Sequence, residues 1–294
     1  MLGKLLKYDL KSVWRIWWIA AVSALGASFV GSFSFRFFLS SPAHNMAAET
    51  VSSREMLVTA LAAIVFAFSV ITIVASVLIT AILVYLRFYK HFFSDEGYLT
   101  FTLPVSRKML LFSKTLNAII WTVAHTVLIT VCSLVFLVFS PPATAETGFF
   151  NPFALEAVGD FISSLFDLMG AGWFLAFSFA GFLILTGLTV FSISLIHYCI
   201  TLGAIIAKKA KLLVAIGMYY LITTILSFVA QAVIMVLFIC MAGRFVVLFA
   251  ALTPGAAAFA VWLIVLMVAT VIAVLASIMY FLTLGNLERK LNLA

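Results

Sequence analysis

Asn117, Trp121 and His125 recur every fourth residue in an otherwise apolar run, so an amide, an indole and an imidazole share one helical face. Polar heads gathered inside a membrane helix either line a substrate path or hydrogen-bond a neighbouring helix, and the second is the commoner use. Gln231, isolated in another apolar run, reads the same way. His197 sits at the end of a third run and by itself points to no chemistry. The cysteines, Cys132, Cys199 and Cys240, are odd in number, lack CxxC spacing and lie in apolar runs. They read as small buried hydrophobes rather than a disulfide framework or a zinc site.

The missing residue types exclude more than these include. No Asp or Glu lies in a segment long and apolar enough to span a bilayer. A proton- or sodium-driven carrier keeps such a group despite its cost, and an intramembrane aspartyl protease needs two. HExxH, GxSxG and GxxxxGK[ST] are all absent. No catalytic residue, metal site or cofactor site is therefore expected in this chain.

A second constellation lies in the polar connector 87–107. Ser94, Asp95 and Glu96 form a helix start, with a capping hydroxyl and two acids near a positive helix end. Gly97 permits close backbone approach. Tyr98, Leu99, Phe101 and Leu103 follow, and Pro104 closes the segment. Their composition is strand-like, but a lone strand beside a membrane leaves its backbone groups unpaired. A short surface helix that presents acids and aromatics to a soluble partner resolves this. A plain connecting loop is the simpler alternative.

The elements behind these residues follow from composition. Of 294 residues 66% are apolar and 9% charged, too few charges to cover a soluble surface. The apolar blocks are continuous and exceed the roughly 20 residues of a bilayer crossing, which favours helices over a barrel. The expected fold class is all-α: a polytopic membrane protein and a single transmembrane domain with six spans. These run over about 17–40, 56–88, 108–140, 173–206, 212–241 and 258–284. Residues 1–16 read as an amphipathic surface helix, with Lys4, Lys7, Lys11 and Arg15 on one side. Residues 141–172 form an outer loop with an interfacial helix. Residues 244–252, too short to span and followed by Thr253-Pro254-Gly255, suggest a re-entrant or interfacial hairpin before span six. Within span one, Ser23, Ala27 and Gly31 form one small-residue row, and Ala20, Ala24, Ser28 and Ser32 a second, either of which admits a close neighbour.

Charge bias sets the orientation. With the amino terminus inside, Lys4, Lys7, Lys11, Arg15, Arg87, Lys90, Arg107, Lys108, Lys114, Lys208, Lys209, Lys211, Arg289 and Lys290 are cytoplasmic. Only Arg36, Arg54 and Arg244 fall outside or at the outer edge. The net charge of +7 thus reports topology and gives nucleic-acid binding no support.

The run Asp95-Glu96-Gly97-Tyr98-Leu99-Thr100-Phe101-Thr102-Leu103-Pro104-Val105-Ser106-Arg107 resembles the cytoplasmic loop of bacterial ABC-2-type ABC transporter permeases, particularly those of Gram-positive anaerobes. The opening Leu5-Leu6-Lys7-Tyr8-Asp9-Leu10-Lys11 and the ending Leu291-Asn292-Leu293 are similar to that family's termini. The resemblance implies a coupling helix that docks on a separate ABC ATPase subunit, which holds the ATP and Mg. It also implies a second permease subunit, in a homodimer or heterodimer, within a bacterial cell membrane. The chain lacks the large extracellular domain of bacitracin-efflux permeases, so a peptide-sensing role is not expected. Two other classes fit the bare composition: a passive channel or scaffold, and a membrane enzyme with an unrecognised site. The topology predicts that tags at residue 1, within 208–211 and after Ala294 stay protected from external reagent, while tags near Asn45 and Thr147 react. An odd number of crossings in such mapping would rule the arrangement out.

Overall fold

The computed structural model describes residues 2–40, 52–94, 97, 100–102, 104–140, 152–207, 210–251 and 253–289. Among them are seven α-helices and no strand: α1 Leu2–Ser40, α2 Ser53–Phe93, α3 Arg107–Phe139, α4 Pro152–Met169, α5 Ala171–Ile206, α6 Lys211–Ala251 and α7 Pro254–Arg289. All but α4 are long and apolar enough to cross a membrane, which makes six spans. α4 carries Glu156, Asp160 and Asp167 within its 18 residues, and Phe161 is exposed.

Two finer expectations need correction. The amphipathic start is not a separate surface helix, because α1 runs unbroken through 39 residues. At ~1.5 Å per residue that is about 58 Å, well beyond a hydrocarbon core of ~30 Å. No proline interrupts it, so the basic segment simply continues the first span. Lys4, Lys7, Lys11 and Arg15 are exposed along it, while Asp9, Val13 and Trp17 are buried. The hairpin before span six is likewise absent, since α6 continues through Arg244 to Ala251. The break falls where the sequence places it, at Thr253-Pro254. Thr253 Oγ1 accepts from the Ala256 N–H at 3.4 Å, and Pro254 takes the first helical position, where its missing N–H leaves nothing unpaired.

The other helix starts have similar local causes. Ser52 and Glu55 form a capping box: the Ser52 N–H donates to Glu55 Oε2 at 3.1 Å, and Ser52 Oγ accepts from the Arg54 N–H at 3.4 Å. Ser106 Oγ accepts from the Met109 N–H at 3.4 Å, as its position before α3 suggests. Gly170, at φ 75°, supplies the left-handed residue between α4 and α5.

The chain divides into two compact units, Met1–Leu86 with Leu116–Leu168, and Arg87–Thr115 with Met169–Ala294. The dividing line crosses α2 and α3. In the first unit α1 lies beside both. Ala20, Ala24, Ser28 and Ser32 are all buried, so the second small-residue row forms the packed face. Ser28 Oγ donates to the Cys132 carbonyl, and Trp17 packs on Trp121 at 5.2 Å, two contacts of constant offset that make α1 and α3 parallel. Gly31 against Ser69 and Phe35 against Phe66 step in opposite senses, so α2 is antiparallel to α1. Of the first row only Gly31 is buried; Ser23 is exposed and Ala27 half-buried.

In the second unit α5 packs along both α6 and α7. Trp262 Nε1 donates to the Ala176 carbonyl at 3.2 Å, and Gly187 lies against Ile272, so α5 and α7 run parallel. At the α5–α6 turn Gly203 lies against the Lys211 carbonyl and the Ala215 backbone, where an added Cβ would fall 2.6 Å from Lys211 O. No side chain fits there.

Gly31 gives the sharpest test of this packing. A Cβ there would lie 2.8 Å from Ser69 Cβ, whereas one at Gly26 meets nothing within 4 Å. Gly31→Leu should lower stability by about 1–3 kcal/mol through overpacking. Gly26→Leu should be neutral or slightly stabilising, since leucine is the better helix former. Thermal unfolding in detergent measures both, and equal shifts would contradict the close α1–α2 approach.

Candidate functional site: the connector and the buried polar face

The end of α2 positions the connector. Phe88, Phe92 and Phe93 are buried there, with the Phe88 and Phe92 rings 5.0 Å apart. The helix stops at Ser94, whose hydroxyl donates back to the Lys90 carbonyl. Ser94 therefore spends its hydroxyl proton on the end of α2. Its carbonyl accepts from the Gly97 N–H at 2.8 Å. Gly97, Thr100 and Phe101 are helical, in keeping with a short helix in this stretch.

The role of Gly97 is internal. An added Cβ would lie 2.8 Å from the Phe92 carbonyl oxygen, so the close approach it permits is to its own chain. Phe101, expected as an outward anchor, is half-buried with its ring 5.7 Å from that of Phe92. The Arg107 guanidinium covers it at 5.4 Å from the ring centroid, a cation–π contact. Pro104 is exposed. Asp95, Glu96, Tyr98, Leu99 and Leu103 lie outside the described residues, as do the Lys208-Lys209 turn, the loops 41–51 and 141–151 and the tail 290–294.

Arg107 does more than stack. Its Nη1 donates to the carbonyls of Leu287 and Glu288, the latter at 3.1 Å. These oxygens belong to the last turn of α7, where carbonyls lack helical partners and the helix dipole is negative. One arginine thus ties the connector and the start of α3 to the end of α7. The sequence marks Arg107 as a positive-inside charge and as the end of the run 95–107. A guanidinium gives no hint of which distant carbonyls it will reach.

His197 also makes contacts that its place in the sequence does not suggest. It is fully buried and stacks on Phe88 at 3.8 Å between centroids, with ring planes 11° apart. Its Nδ1 lies 3.5 Å from Thr115 Oγ1. This joins α5 to the end of α2 and the first part of α3. The usable signal was a buried polar stripe, Ser194, His197 and Thr201, at spacings of three and four.

In the first unit Asn117, Trp121 and His125 do share a buried face. Trp121 packs against Trp14 and Trp17, and His125 Nδ1 lies 3.1 Å from Thr80 Oγ1 on α2. The interhelical hydrogen bond is therefore present, and Thr80 is a partner that the sequence did not single out. Asn117 Oδ1 and His125 Nε2 are buried with no hydrogen-bond partner among the described residues. Gln231 is exposed on α6 amid exposed apolar residues.

No family model, curated protein or solved structure matches this chain. The fold itself defines the class: an all-α, multi-pass membrane protein with six apolar helices. Within it, Arg107→Ala should remove two charge-assisted hydrogen bonds, weakening the α7 terminus by about 1–3 kcal/mol. Hydrogen exchange should accelerate at the end of α7 and leave α1 unchanged. Unaltered protection there would show that the clamp carries no energy.

Proposed function

We propose that this chain is the membrane subunit of an ATP-driven exporter of the ABC-2 type, in a bacterial cell membrane with both termini cytoplasmic. The observation that carries the reading is the run 95–107, with its two acids, exposed Pro104 and interleaved apolar residues. The way its flanks are fastened supports this. Gly97 abuts the end of α2, and Arg107 reaches from the start of α3 to α7. A push on such a segment is passed to three helices, which a slack loop could not do.

In this reading Asp95 and Glu96 steer a separate ATPase subunit through basic residues on its surface, and Tyr98 and Leu99 supply the apolar anchors. Leu103 and Pro104 shape the end of the segment, and Phe101 holds it to Phe92. ATP and Mg act on the partner, and this chain is not itself an enzyme. Asn117 and His125 on α3 mark the substrate path. Gln231 faces outward on α6, where a glutamine in lipid would be poorly satisfied, so a second permease subunit is the expected cover.

The two halves of the connector should separate experimentally. Tyr98→Ala should weaken ATPase binding by roughly 2 kcal/mol, about thirtyfold, with normal insertion. Arg107→Ala should leave binding near wild type but lower transport-linked ATP hydrolysis. A Tyr98→Ala protein that binds the ATPase and transports like the wild type would overturn the reading.

A further inference from the structure

A groove of about 520 Å³ lies between α2 and α3 in the first unit. Val77, Ala81, Val84 and Ile129 make its walls apolar, and Thr80 and His125 lie within it. A hydroxyl ladder runs down its α3 side. Thr122, Thr126, Thr130 and Ser133 donate to the carbonyls of Ala118, Thr122, Thr126 and Ile129 at 2.8–3.0 Å. Each hydroxyl proton is therefore spent on its own helix, and what the ladder turns outward is methyl groups and oxygen lone pairs.

The same bookkeeping sets the tautomer of His125. Thr80 Oγ1 has one proton, and it donates to the Ser76 carbonyl at 3.0 Å. A hydroxyl proton held on that carbonyl leaves Thr80 Oγ1 to accept from His125 Nδ1, 3.1 Å away. In that arrangement Nδ1 carries the hydrogen. In a neutral imidazole this leaves Nε2 as a bare acceptor. His125 is 6% exposed, and Nε2 has no partner among the described residues. A buried acceptor left unsatisfied is unfavourable, and lipid tails supply no donor to relieve it.

We infer that this groove binds an amphiphile with an apolar body and an N–H or O–H donor, which His125 Nε2 accepts. An anion does not suit it: no Lys or Arg lines the groove, and beyond the ladder, Thr80 and His125 the remaining polar lining residue is Tyr85. A hydrocarbon without a donor leaves Nε2 as it was. As a substrate site the groove rests on the exporter reading; as a binding site it does not. The donor can come from a small molecule or from a lipid headgroup, and the two sources are separable.

The test uses the full chain, labelled with ¹⁵N-histidine, in phosphatidylcholine bilayers, whose headgroups have no N–H. No ATPase is present, so the outcome is independent of the coupling proposal. Solid-state NMR should show one ring in the Nδ1–H tautomer with a free Nε2, assigned to His125 by its loss in His125→Phe. Should that variant not fold, Thr80→Val makes the assignment, because it removes the acceptor of Nδ1–H alone. Dodecanol should move the Nε2 signal to its hydrogen-bonded position. Dodecyl methyl ether, of similar body but without the donor, should bind roughly tenfold more weakly and leave the signal in place. A shift produced by phosphatidylethanolamine bilayers alone would identify the donor as a resident lipid amine. A shift seen only with dodecanol would identify a small-molecule site. Equal binding of alcohol and ether, or an Nε2 tautomer opposite to the one deduced, would overturn the inference.

Discussion

Lipid gives a hydrogen-bonding group nothing to fall back on, and the interior of this protein is arranged around that constraint. Hydroxyls in the spans turn inward onto backbone carbonyls, as the α3 ladder shows, or bridge to a neighbouring helix, as Ser28 does to Cys132. Small residues allow this. Ala20, Ala24, Ser28 and Ser32 bring α1 close enough for side chain and carbonyl to meet. Against this background the unsatisfied groups stand out. His125 Nε2 and Asn117 Oδ1 are buried polar atoms on one helix with no partner among the described residues, in a region where lipid supplies none.

The constraint changes character at the helix ends. There the backbone itself runs out of partners, and single side chains make up the deficit. Arg107 does this for α7, Thr253 for its first turn and Ser106 for α3. Because Arg107 belongs to the connector as well as to α3, satisfying one helix end also ties three pieces of chain together. The Phe88–His197 stack serves the same region from within, joining α2 to α5 through aromatic packing rather than hydrogen bonds. The described flanks of the connector are therefore fastened to the spans.

Much of this was legible in the sequence, for identifiable reasons. Uninterrupted apolar runs define the spans to within a few residues, as α3 and α5 show, because nothing else in water or lipid competes for such segments. Ser106 and the Thr253-Pro254 break could be placed because capping is local chemistry. The errors lie where continuity mattered more than composition. A basic amphipathic face looks like a separate surface helix, but without a breaker α1 continues through it. A short apolar piece after Met241 looks like a hairpin, but a helix that has no reason to stop goes on to Ala251. Pairwise contacts were beyond reach altogether. Nothing near His125 in sequence indicates Thr80, and nothing near Arg107 indicates Leu287.

We propose that the connector is where a separate ATPase grips this protein. Tyr98 is the position at which to ask, by replacing it with a photo-crosslinking residue and illuminating intact cells. The account predicts a dominant adduct with a soluble protein carrying the GxxxxGK[ST] phosphate-binding loop. It also predicts that the adduct survives dilution of the membranes but disappears when Asp95 and Glu96 are both changed to lysine. Adducts confined to lipid, or to other copies of this chain, would contradict it.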